Sequence, residues 1–108
     1  MKNFHKKDKL YEKGLNFLLK KDYLSAKKSF EKILKLDSFN KEAMNSLGVI
    51  YRILNNYDLS INYFKLALSK DKNYSDALNN LSDIYYFSGK RTNALITHLR
   101  LLEIGTFV

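Results

Sequence analysis

Apolar positions along this chain fall into six runs at helical spacing, and the runs recur with a period of 34 residues. The middle period, Lys41 to Tyr74, predicts two amphipathic helices over 41–54 and 56–70 with a turn at Asn55-Asn56. Its apolar faces are Met44, Leu47, Gly48 and Tyr51, then Tyr57, Ser60, Phe64, Ala67 and Leu68. The same pattern lies 34 residues earlier as Leu10, Gly14, Phe17 and Leu18, then Tyr23, Ala26, Phe30, Ile33 and Leu34. It lies 34 residues later as Leu78, Leu81, Ser82 and Tyr85, then Ala94, His98, Leu101 and Leu102. The period divides the chain into a basic stretch 1–6 and units 7–40, 41–74 and 75–108. Units of this length each bury their apolar faces only against their neighbours, which is the sequence form of a solenoid.

The turns follow the same register. Lys21-Asp22 breaks the first unit, with Asp22 placed to cap the second helix. Asn55 and Gly89 stand at one place in units two and three, and both tolerate the left-handed backbone that ends a helix. Small and large residues alternate for a packing reason. Gly14, Gly48 and Ser82 let the paired helix come close, as do Ala26, Ser60 and Ala94 from the other side. Phe17, Tyr51 and Tyr85, with Phe30 and Phe64, fill the volume around that contact. The aromatic stripe is therefore core, and His98 at the Phe30 place is expected to be packed as well.

This pattern resembles the tetratricopeptide repeat, whose first helix carries a large apolar residue, Leu-Gly and Tyr, and whose second carries Ala, an aromatic and Ala before a closing Pro. The middle unit matches through Met44, Leu47-Gly48, Tyr51, Phe64 and Ala67, and the likeness covers residues 7–108. Departures are Lys13 for the leucine, His98 for the aromatic, and Ser38, Lys72 and Thr106 at the proline place. The resemblance implies an all-α fold, a right-handed superhelix of three antiparallel helix-turn-helix repeats, acting as a non-catalytic protein-interaction scaffold. Its concave groove would be lined by first helices and would hold a partner's peptide or helix. On this chain the groove residues would be Tyr11 and Leu15; Asn45, Val49 and Arg52; Asn79, Asn80, Asp83 and Tyr86. Asp8, Glu12, Leu19, Glu42, Ser46 and Asp76 would flank them.

Asparagine both donates and accepts, so Asn45 and Asn79, one repeat apart, can grip peptide backbone; abundance of asparagine in this chain is the competing explanation. Some family members clamp a chaperone's terminal carboxylate with Lys, Arg and Asn. The matching places here hold Tyr11, Leu15, Ser46, Asp76 and Asn80, without a cation, so that ligand is disfavoured. Asp8, Glu42 and Asp76 share one place near the helix starts, where they complement the helix dipole. With Glu12 and Asp83 they turn the groove acidic, against Arg52 alone, and favour a basic or amphipathic peptide.

The ends differ. Unit one has Lys9, Asn16, Lys20 and Lys27 where unit two has Ala43, Ile50, Leu54 and Ile61, a polar outer face that lets the first repeat cap itself. Unit three carries Ile96 and Leu99 at places held by Lys28 and Glu31, or Asn62 and Lys65, and Phe107 and Val108 follow. Family arrays commonly close with an extra solvating helix, and none follows here before Val108. The C-terminal face of Ile96, Leu99 and Phe107 is therefore expected to pack against a second copy, a partner or further sequence, with a homodimer foremost.

Composition narrows the rest. The chain of 108 residues has no proline, no cysteine and 45% apolar content, which excludes disulfides, thiolate chemistry and cysteine-zinc sites. No run is apolar enough for a secretion signal or a membrane span, so a cytoplasmic protein is expected. The net charge of +8 sits mostly in residues 1–40, which hold eleven basic and five acidic side chains. Lys27, Lys28, Lys32 and Lys35, beside Lys20 and Lys21, form a basic row on the outward helix. A solvated face explains it first; nucleic acid or another acidic surface is the alternative partner, with no aromatic interleaved to stack bases. His5 and His98 lie far apart, and no ligand spacing, nucleotide loop or paired-carboxylate motif is present, so no metal, cofactor or catalysis is expected.

Overall fold

A helix can reverse direction within three residues if one of them accepts a left-handed backbone, and this chain does so three times at the same place. Lys21, Asn55 and Gly89 have φ of 61°, 64° and 83°. The residue after each donates its N–H back to the helix just ended: Asp22 to the Phe17 carbonyl, Asn56 to Tyr51 and Lys90 to Tyr85, all at 2.8 Å. That same residue opens the next helix, and as Asp22 or Asn56 its side chain accepts from the Ser25 or Leu59 N–H. The left-handed turn at Lys21 was not legible from residue type, because lysine gives no hint of it.

The computed structural model describes residues 2–105, with side chains from His5 onward. The helices are α1 (Lys2–Leu19), α2 (Tyr23–Leu36), α3 (Lys41–Ile53), α4 (Tyr57–Lys70), α5 (Ser75–Phe87) and α6 (Arg91–Gly105). The basic stretch thus continues into the first helix, which starts at Lys2. Helices pair as α1–α2, α3–α4 and α5–α6, and each second helix also packs on the next first helix. Between repeats the chain turns through Asp37 and Asp71, which accept from the Phe39 and Asn73 N–H groups at 3.2 and 3.1 Å. Each also holds a lysine from the start of its own repeat, Lys7 at 3.2 Å and Lys41 at 2.5 Å. Asn40 caps α3, whereas Tyr74 gives α5 no side-chain cap.

The core lies where each second helix meets the next repeat. Phe30 and Ile33 pack with Ala43, Leu47 and Ile50, and Phe64 packs with Leu81, Ile84 and Tyr85. Both rings press on a glycine of their own hairpin. A Cβ on Gly14 would lie 2.6 Å from Phe30 Cζ, and one on Gly48 would lie 2.5 Å from Phe64 Cε1. No side chain fits there without displacing a ring held on every side. Ser60 Oγ ties the same contact by donating to the Gly48 carbonyl at 2.6 Å. In the third repeat the donor changes sides, and Ser82 Oγ donates to the Ala94 carbonyl at 3.2 Å.

Two expectations are corrected here. His98 is exposed, not packed. Phe30 and Phe64 are covered by α3 and α5 of the following repeat, and among the described residues no helix follows α6 to cover His98. Lys27 also departs from the outer polar face proposed for unit one. It turns toward the second repeat, with its ammonium 5.6 Å from the centre of the Tyr51 ring. Lys9, Asn16 and Lys20 are exposed on that outer face as expected.

Candidate functional site

The stripes 8-11-15-19, 42-45-49-53 and 76-79-83-87 each advance by three or four residues, so each keeps to one side of its first helix. α3 and α5 touch directly, with α4 behind them. The three stripes form the face of first helices that is expected to be the inner one.

That face changes character across its width. At the helix starts lie the exposed carboxylates Asp8, Glu42 and Asp76. Asp8, Tyr11 and Glu42 line a cleft of about 340 Å³ with Lys7, Ile33 and Asn40. The cations here are committed, Lys7 to Asp37 and Lys41 to Asp71. Partial burial opposes the Asp37 charge, but the Phe39 N–H and Lys7 together outweigh it and hold that carboxyl below its usual range. Asp71 is lowered chiefly by its bond to Lys41, which is itself raised by the same bond. Tyr74, half-buried among Asp76, Glu42 and Asp71, has its hydroxyl pushed up to about 12, first by burial and then by those carboxylates.

In the middle of the face the asparagines do meet, though not as a row of independent grips. Asn80 Nδ2 donates to Asn45 Oδ1 at 3.0 Å, bridging α3 to α5. Asparagine has more capacity than one bond uses, so the Asn45 amide hydrogens and the Asn80 carbonyl stay able to serve a ligand. Asn79 and Asp83 are exposed beside them, Val49 and Arg52 are half-buried, and Ser46 is buried. Tyr11 sets its ring edge-on to Phe30, with centroids 5.7 Å apart, which fixes where its hydroxyl points.

At the turn edge the face becomes apolar. Leu15 and Tyr86 are exposed. Sequence reasoning included Leu19 but missed Ile53 and Phe87, which stand at the same place one and two repeats on. Counting on from Leu19 by the repeat period finds both. Phe87 is 70% exposed and Leu19 83% exposed. Phe87 meets Tyr86 edge-on at 5.9 Å and lines a cleft with Arg52, Ile53 and Tyr57.

Away from this face, α6 buries only Ala94 and Thr97. Ile96 and Leu99 are exposed, joined by Leu95 and Leu102, while Phe107 lies outside the described residues. Lys28, Lys32 and Lys35 are exposed on α2, and Lys32 and Lys35 border a cleft of about 320 Å³ floored by Leu10 and Leu36. Among the described residues no cluster of three potential metal ligands occurs, and no helix is long and apolar enough to cross a membrane.

Stacked helical hairpins with one face of first helices left open define the class, an α-solenoid of helical repeats. A profile of the tetratricopeptide repeat matches residues 10–40 and 41–74, and this chain belongs to that family. Two relatives described as uncharacterized protein ycf37 are similar along most of the chain. That of Guillardia theta is 31% identical over 98 residues, covering 86% of this chain and 55% of the relative. That of Cyanophora paradoxa is 32% identical over 104 residues, covering 88% and 60%. The chain thus spans little more than half the length of either.

Solved structures agree on the fold. The TPR2B domain of yeast Sti1, in complex with pHsp70, has a TM-score of 0.90 at 17% identity, covering 96% of this chain and 83% of that one. The first TPR of Spaghetti (RPAP3), bound to the HSP90 peptide SRMEEVD, scores 0.87 at 21% identity, covering 93% and 79%. The Yersinia enterocolitica translocator chaperone SycD, in an alternative dimer, scores 0.86 at 19% identity, covering 91% and 74%.

Proposed function

We propose that this chain is a protein-interaction scaffold that holds a segment of a partner on the inner face of its first helices. The observation carrying the reading is the Asn45–Asn80 pair, which leaves donors and an acceptor mid-face between a carboxylate edge and an apolar edge. Repeat proteins of this fold bound to an HSP90 peptide and in complex with pHsp70 support a binding role for the fold. They do not transfer their ligand, because Asp76 and Asp83 would oppose the acidic end of SRMEEVD. Capture from the native cell with wild type against Asn45→Ala/Asn80→Ala tests the reading. Loss of a partner with the variant supports it, and equal recovery of every partner overturns the groove assignment.

The same scaffold self-associates through α6 in this proposal. Leu95, Ile96, Leu99 and Leu102 are large, exposed and within two turns of one another. Head-to-tail stacking would set Lys9, Asn16 and Lys20 of a second copy on those apolar side chains, which is unfavourable. A symmetric α6–α6 contact avoids that clash, and the dimer described for SycD supports dimerisation in this fold. Light scattering of Ile96→Lys/Leu99→Glu against wild type decides it. A lower mass for the variant is expected, and an unchanged mass removes the interface.

A further inference from the structure

The inner face is divided crosswise, and the division specifies what can lie along it. Eleven residues separate Asp8 from Leu19 on α1, about 16 Å along the helix axis. The same span separates Glu42 from Ile53 and Asp76 from Phe87. An α-helix with its side chains is about 10–12 Å across, so one helix fits between the two rows with long basic side chains reaching the carboxylates. Running along the array, it would meet a carboxylate on one flank and an apolar side chain on the other at each of three successive repeats.

We propose that the groove takes a cationic amphipathic α-helix of a partner protein, its apolar flank on Leu19, Ile53 and Phe87 and its basic flank on Asp8, Glu42 and Asp76. This rests on the groove reading above and narrows it. The carboxylates are exposed, while the nearby Lys7 and Lys41 are already tied to Asp37 and Asp71, so the free charge of this edge is negative. The apolar row is exposed where the same helices bury their opposite sides. An acidic segment would be repelled by the first edge, and a purely polar one would leave the second edge wet. This chain's own basic helix α2 cannot fill the groove of a second copy, because its apolar side, Ala26, Phe30 and Ile33, is already in the core.

The experiment measures fluorescence anisotropy of three labelled peptides of about 18 residues, five helical turns. One is an amphipathic Leu/Lys helix, one its Leu/Glu counterpart and one a scrambled Leu/Lys peptide of equal composition. At physiological salt the Leu/Lys helix is expected to bind at least about tenfold tighter than either control. Glu42→Gln/Asp76→Asn should weaken it several-fold and flatten its salt dependence. Leu19→Ala/Phe87→Ala, both positions exposed enough to spare the fold, should weaken it with the salt dependence kept. Helical circular dichroism confirms that each variant is folded.

Equal binding of the Leu/Glu or scrambled peptide overturns the proposal, as does binding indifferent to both double variants. If native-partner capture depends on Asn45 and Asn80 while the Leu/Lys helix does not bind, the cationic-helix inference fails and the groove reading stands. If capture is indifferent to that pair, the groove reading fails first.

Discussion

α4 and α6 occupy the same place in successive repeats, yet they fare differently. Ile61 on α4 is 6% exposed, and its counterpart Leu95 on α6 is 58% exposed. Phe64 is sealed between Gly48 and α5, while His98 faces solvent. The sequences of the two helices are both apolar enough to be buried. What separates them is the repeat that follows, since α5 covers α4 and, among the described residues, nothing covers α6. In a solenoid, burial belongs to the stack and not to the helix.

The largest test of this contrast is truncation at the shared aromatic place. Phe64→Ala should lower stability by about 3–5 kcal/mol, whereas His98→Ala should change it by less than about 0.5 kcal/mol. Denaturant unfolding measures both, and comparable losses would mean that α6 is covered after all. Next, Gly48→Ala forces a methyl into the Phe64 ring and should cost about 1–3 kcal/mol. Ser82→Ala, which loses only the bond to the Ala94 carbonyl, should cost about 0.5–1.5 kcal/mol in the same assay.

Smaller effects come from the turns, where the repeats differ by residue and not by geometry. Lys21→Gly should stabilise by about 0.5–1 kcal/mol, because lysine is held at positive φ, and Gly89→Ala should destabilise by a similar amount. Opposite shifts in thermal midpoint are expected, and shifts of one sign would contradict the shared turn.

The smallest effect separates the first two repeats from the third by pH. Asp37 and Asp71 have folded pKa values below the unfolded 3.8, so their contribution is present above that value and lost as pH falls through the folded one. Lys41 is raised above 10.5, so its share is present below that pH and lost as pH rises through the folded value. The places of these pairs in the third repeat hold Ser75 and Gly105. Asp37→Asn/Asp71→Asn should therefore show a shallower loss of stability between pH 5 and pH 2 than wild type, followed by urea unfolding. An unaltered acid limb would mean that these carboxylates do not carry it.

Much of this was legible because it is periodic. Gly14 with Phe30 and Gly48 with Phe64 announce a close helix contact by spacing alone, and Asp22 announces a cap. Two of the misses share one cause: they depend on a neighbour. His98 was placed in the core by register, but its burial needs a following repeat. Lys27 was assigned outward, yet the Tyr51 ring of the next repeat draws it in. Asn45 and Asn79, one period apart, are expected to grip a peptide side by side. Adjacent helices are offset, however, and Asn80 is the residue that reaches Asn45. Ile53 and Phe87 escape for another reason, since a large apolar residue near a helix end reads as fraying core.

The hairpin turns have a mechanical consequence. Since one residue closes the first helix and opens the second, the angle within a pair has almost no slack. Adjustment is left to the seams between pairs, such as the one where Met44, Ala67 and Ala77 gather. A bulkier side chain at Ala77 would tilt one pair on the next like a shim under a step, changing the curvature of the whole ribbon. The width available to a guest helix would then shift although no residue that touches the guest had been replaced.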